Sequence, residues 1–265
     1  MSRIAITAAI CFVCTAGFLA QQPAARFDVA SVKPNTTGAE PSMNIPPRGS
    51  VAIVSVPLEN VIVNAYGIPA FRILDAPDWI KRERFDISAK IPDVASPEPL
   101  LMLQSLLEER FKLRVHRETR EQPIYTLVVA RSDGRLGPRL KPSSVDCATA
   151  GTPASAPTFS PDAQCAGLFG VGPAGGRIIS RGQPLRRVTS ALSMAVSRGV
   201  VDRTGFQGPF DVELEWSSDV GASATNSNTP NIFTALQEQL GLRFEPSRGP
   251  VEVLVIESVE RPTPD

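Results

Sequence analysis

The sequence is short of the residues that most often carry chemistry. It contains one histidine, His116, in 265 residues, and neither HExxH nor GxSxG occurs. The common zinc-hydrolase and serine-hydrolase frameworks are therefore missing. An excess of one charge is missing too: 27 basic residues balance 27 acidic ones. No overall field draws the protein to nucleic acid or to an anionic membrane. Beyond the N-terminus, no apolar run approaches the ~20 residues needed to span a bilayer.

The N-terminus itself reads as a leader. Arg3 supplies positive charge, residues 4–19 (IAITAAICFVCTAGFL) are uncharged and apolar, and Ala20 precedes the polar pair Gln21 and Gln22. The run is a little short for a spanning helix, so residues 1–20 are expected to be a cleaved signal peptide. Phe18 fits poorly at the −3 position and leaves the exact cleavage point open. The protein is expected to be periplasmic or secreted. Removing the leader leaves two cysteines, Cys147 and Cys165. They lack the CxxC spacing and nearby histidines of a redox or metal pair, and in an oxidising compartment an even pair forms a disulfide.

Hydrophobic content of 42% is enough for a core, and 25 prolines announce many turns. Alternating strands are expected at residues 27–33, 51–56, 84–90 and 210–216. Helical spacing puts Leu58, Val61, Ile62 and Ala65 on one face, and Leu185, Val188, Leu192 and Ala195 on another. Residues 102–130 echo 231–259: Leu107 answers Leu236, Leu113 answers Leu242, and Pro123 answers Pro250. Each copy reads as a helix, a strand, a turn and a second strand. Helices of about three turns are not stable alone and need a sheet to lie on. The expected fold is therefore α+β, with two tandem β-α-β/α-β-β modules from an internal duplication. They resemble the small modules at the N-termini of secretins and TonB-dependent transducers. The first module is placed at 26–131, a Gly/Pro/Ser-rich linker at 132–176, and the second module at 177–262.

Several segments occur in order: residues 27–35 (FDVASVKPN), 84–87 (RFDI), 110–113 (RFKL), 200–205 (VVDRTG) and 249–256 (GPVEVLVI). In these the chain resembles the soil-associated protein family expanded in acidobacteria, a family of unknown function. The resemblance implies an exported bacterial protein. It also implies kinship with domains attached to antibiotic-sensing membrane peptidases, although no peptidase portion is present here. It brings no catalytic residue and no cofactor.

Candidate sites come from charge and aromatics. Lys112, Arg114 and His116 share one face of a strand by period two. With Arg110, Arg117 and Arg120 they form a basic cluster that could meet an anion or an acidic partner. Asp211, Glu213 and Glu215 form an acidic stripe, but the Gly-rich turn of a calcium loop is absent, so no metal is expected. The GxGxxG string at 170–175 contains proline and leads into a strand, which argues against nucleotide binding. Trp79, Trp216, Tyr66 and Tyr125 could stack on sugars or simply pack. The expected function is an exported, non-catalytic binding module for an envelope component or partner protein. One alternative is an extracytoplasmic hydrolase using Asp86, Asp202 and Asp211 between the modules. Another is a stand-alone sensory domain. Cofactor, nucleic-acid and transmembrane partners are not expected, and the oligomeric state is left open.

Overall fold

The computed structural model describes residues 25–93, 98–147, 165, 167–172, 175–217 and 229–262. The expected leader lies outside them, as do residues 148–164 of the expected linker.

The chain opens with β1 (Val29–Asn35), β2 (Ser42–Asn44) and β3 (Ser50–Pro57). Pro57 is extended and leads straight into α1 (Leu58–Tyr66), whose buried face is Leu58, Val61, Ile62 and Ala65, as their spacing predicts. Gly67 ends α1 with φ 63° and donates its N–H to the Val63 carbonyl, a left-handed cap that glycine adopts without strain. A single 3-10 turn at Ala70–Arg72 then leads to β4 (Ile73–Leu74), α2 (Trp79–Arg82), β5 (Arg84–Lys90), α3 (Pro99–Arg110) and β6 (Arg114–Val129). Next come β7 (Leu140–Pro142), β8 (Gly167–Gly172), β9 (Gly175–Pro184), α4 (Leu185–Ala195), β10 (Val200–Asp202) and β11 (Pro209–Ser217). The Asn231 side chain accepts from the Thr234 N–H and starts α5 (Ile232–Ala235). That helix widens into a π-turn at Leu236–Leu240 and gives way to β12 (Leu242–Ser258).

Strand accounts for 45% and helix for 24% of the structure, so the fold is sheet-rich. Its strands form three four-stranded sheets, ordered β1-β5-β3-β2, β10-β6-β12-β4 and β7-β11-β9-β8. Pairing is antiparallel except where β10 meets β6 and β4 meets β12. This overturns the expected α+β pair of tandem β-α-β/α-β-β modules of the secretin/TonB type. Residues 112–117 and 124–130 were expected as two strands joined by a turn. They run on as one strand, β6, of 16 residues, and β12 is likewise continuous over 17. The two echoing stretches then pair with each other, from Leu242 opposite Val129 to Ser258 opposite Arg114.

Prolines suggested turns at these places, and the ladder shows why they do not make them. The Tyr125 N–H points away from β12, to the Gly199 carbonyl at 2.8 Å. Period two gives Pro123 the same outward side, and Pro246 and Pro250 lie opposite Tyr125 and Glu121, in the same non-hydrogen-bonded class of pair. All three prolines thus lack an N–H only where the ladder between β6 and β12 needs none. Proline is tolerated in a strand on that condition.

Two cores sit at opposite ends of the ribbon. One lies between the first sheet and helices α1 and α3, and takes Leu254 and Ile256 from β12. The other lies under the third sheet with α4 and α5, and takes Leu127 from β6 and Leu140 from β7. Leu127 is fully buried, and such a side chain contributes about 2 kcal/mol of burial free energy. Each core therefore depends on chain from the other half of the sequence. The disulfide between Cys147 and Cys165 is formed, with the two Cα atoms 5.4 Å apart. The Cys147 N–H also bonds the Gly182 carbonyl at 2.9 Å, which ties the bridge to β9.

Candidate functional site

The carboxylates of the hydrolase alternative do not converge. Asp86 sits on β5 in the first sheet, Asp202 on β10 in the second, and Asp211 on β11 in the third, and each holds its own stretch of backbone. Asp86 accepts from the Ser55 N–H at 2.8 Å and from the Asn35 amide at 2.8 and 2.9 Å. Ser55 has φ 55° and forms the bulge where β3 slips against β5. Asp211 does the same for Gly182, accepting its N–H at 2.8 Å, and Gly182 has φ 64° beside the register shift between β9 and β11. In both places a left-handed residue precedes the proline that opens a helix by two positions, and a carboxylate from the neighbouring strand satisfies its N–H. Asp202 accepts from the N–H and Oγ1 of Thr204 at 2.8 and 2.7 Å, which is an Asx turn.

Half of the basic cluster meets acidic neighbours. His116 Nδ1 lies 2.7 Å from Glu257 Oε1, and Arg117 donates to Glu252 at 2.6 Å and to the Tyr66 carbonyl at 2.6 Å. Arg120 pairs with Glu118 and, at 3.6 Å, with Asp75. Arg110 donates to the Ala30 carbonyl at 3.1 Å, and Lys112, at φ 50°, to the Glu109 carbonyl at 2.9 Å. Arg114 is exposed near the end of the ribbon. Acidic residues of β6 and β12 thus meet His116, Arg117 and Arg120, whereas Arg110 and Lys112 are held by backbone carbonyls. Glu257 and Glu252 could not be matched to the cluster from spacing, because the pairing register decides which residues meet.

The acidic stripe is treated alike. Glu213 binds Arg177 at 2.7 Å and faces Arg181 at 3.7 Å. The hydrogen bond from Arg177 holds its carboxyl below the usual range, against a smaller opposing effect of burial. The backbone of Glu215 is clamped by the side-chain amide of Gln239, which accepts its N–H at 3.0 Å and donates to its carbonyl at 2.8 Å. No cluster of three metal-ligating side chains occurs among the described residues. Gly170 and Gly172 lie on β8 and Gly175 on β9, and these two strands pair antiparallel; Pro173 and Ala174 lie outside the described residues.

Three of the four aromatic candidates pack. Trp216 is buried against Gly176, where any Cβ would collide with its ring. Trp79 stands edge-on to Phe85 and carries the Arg261 guanidinium 4.8 Å from its centroid. Burial and the charge of Glu108 push the Tyr66 hydroxyl up to about 12, and its oxygen has no hydrogen-bond partner.

Tyr125 belongs to something larger. Phe244 stacks on it at 4.9 Å, Phe233 meets both rings edge-on at 5.9 and 5.7 Å, and Arg198 sits 4.7 Å from the Tyr125 centroid. With Phe244 and Arg198 both packed on it, Tyr125 has little face left for a sugar. Phe233, on α5, is 44% exposed. The patch joins β6, β12, α5 and the approach to β10, which are far apart in sequence. Only Tyr125 among its members was legible as a candidate.

A family described as a protein of unknown function (DUF3738) matches residues 59–259. No curated protein and no solved structure matches the chain.

Proposed function

The chain belongs to the DUF3738 family, and from that premise we propose that it is an exported, non-catalytic module that docks a partner protein of the cell envelope. The carrying observation is the half-buried patch of Tyr125, Arg198 and Phe244, topped by the exposed Phe233. Aromatic residues and arginine are the types that dominate protein-binding energy, and they hold their shape here because each ring braces another. The competing chemistry lacks an assembled site, since Asp86, Asp202 and Asp211 are each engaged in a local turn or bulge.

Export is supported by the leader-like residues 1–20 and by the disulfide of Cys147 and Cys165. No helix among the described residues is long and apolar enough to cross a membrane. The likeness to domains carried by antibiotic-sensing peptidases is in keeping with a recognition role. Capture from envelope extracts tests the reading. The native protein retains a discrete partner, and Phe233→Ala and Arg198→Ala each lose it. Retention of the same partner by both variants contradicts the docking surface.

A further inference from the structure

A second feature, which shares Arg198 with the docking patch, lies at the middle of the ribbon. A cavity of about 160 Å³ is bounded by Arg72 ahead of β4 and by Arg198 and Gly199 ahead of β10. Gln122 of β6 and Val251 of β12 line it from the ribbon. Because β4 pairs with β12 and β10 pairs with β6, the topology carries one arginine in from each edge of the ribbon to a single small space. Neither arginine has a carboxylate partner among the described residues. Each guanidinium instead rests on a ring, Arg72 over Phe71 at 5.6 Å and Arg198 over Tyr125 at 4.7 Å. Arg72 Nε is buried with no hydrogen-bond acceptor.

Two carboxylates near Arg72 and along β6 are committed elsewhere. Asp75, three residues after Arg72, pairs with Arg120, and so does Glu118, which also faces His116 at 4.0 Å. Two like charges beside one cavity, one of them with an unmet buried donor, cost free energy unless an acceptor completes them. The planar fork of arginine matches a tetrahedral oxyanion, and the space is large enough for one such group with a few waters. We propose that this cavity binds a phosphate or sulfate group through Arg72 and Arg198, either as the free anion or as the terminal group of a larger ligand. The inference stands apart from the docking reading, because free anion can be titrated with no partner present.

Isothermal titration of the folded protein with inorganic phosphate, at constant ionic strength against chloride, tests it. Saturable binding is expected, and Arg72→Gln and Arg198→Gln each weaken it roughly tenfold or more, the worth of one charge-assisted hydrogen bond. Arg131→Gln, which removes an exposed partner of Asp133, leaves binding unchanged. A methyl phosphate arm separates the sources: binding as tight as phosphate marks a terminal ester group, and much weaker binding marks the free anion. Amide resonances of Gly199 and Val251 in the native protein give a readout that needs no variant, and they shift with phosphate and not with chloride. Absence of saturable binding and of those shifts overturns the proposal, as does equal binding by folded Arg72→Gln and Arg198→Gln.

Discussion

Replacing Asp86 with alanine isolates the physics that separates a structural carboxylate from a catalytic one. The side chain supplies acceptors for the Ser55 N–H at 2.8 Å and for the Asn35 amide at 2.8 and 2.9 Å. Ser55 is fully buried, so its N–H has no water to turn to once the carboxylate is gone. An unmet buried donor costs about 1–3 kcal/mol, and a lost hydrogen bond to a charged group about 1.5–3 kcal/mol. The two overlap in part, which gives an expected loss of about 3 kcal/mol in Asp86→Ala. Asp86→Asn keeps one carbonyl oxygen for the Ser55 N–H and the Asn35 amide, and gives up only the second contact to Asn35, whose Oδ1 stays with Thr37. Its loss should be about 1 kcal/mol. Urea unfolding, read by tryptophan fluorescence and far-ultraviolet circular dichroism together, measures both. If Asp86→Ala unfolds at the native midpoint, the carboxylate is not holding the bulge and the reasoning fails.

Ser55→Gly should raise stability by about 1 kcal/mol, since it removes a positive-φ Cβ and a buried hydroxyl without a partner and gives back part of that as chain entropy; equilibrium denaturation decides it. Reducing the Cys147–Cys165 bridge should cost roughly 3 kcal/mol by the chain-entropy estimate, read as a lower denaturation midpoint in reductant. Glu213 has a folded pKa below its ordinary 4.5, so its contribution is complete above that value and is lost as pH falls through the lower folded one. Stability profiles between neutral and acid pH should therefore be shallower for Glu213→Gln. Tyr66 ionises at about 12 instead of 10, so its contribution is present below pH 10 and is lost as pH rises toward 12. Ultraviolet titration of Tyr125→Phe, which leaves Tyr66 as the remaining tyrosine, should show that late transition.

Local pattern made the pieces legible and left their assembly hidden. The apolar faces of α1 and α4 and the alternation of β5 and β11 follow from spacing that each segment carries within itself. The joining of residues 112–117 to 124–130 into one strand did not follow, because Pro123 signals a turn unless the outward side of its N–H is known. That side depends on β10, some 75 residues later in the chain. The echo between residues 102–130 and 231–259 was visible, but whether such stretches build two modules or pair with each other is a long-range choice. For the same reason the acids opposing the basic cluster went unseen, as did the meeting of Tyr125, Arg198, Phe233 and Phe244.

Site-specific photo-crosslinking in intact cells tests the docking account most directly. A photoreactive residue in place of Phe233 should yield one discrete adduct with an envelope protein, and one in place of the exposed Leu100, away from the patch, should not. No adduct at 233, or the same adducts from both positions, would contradict it.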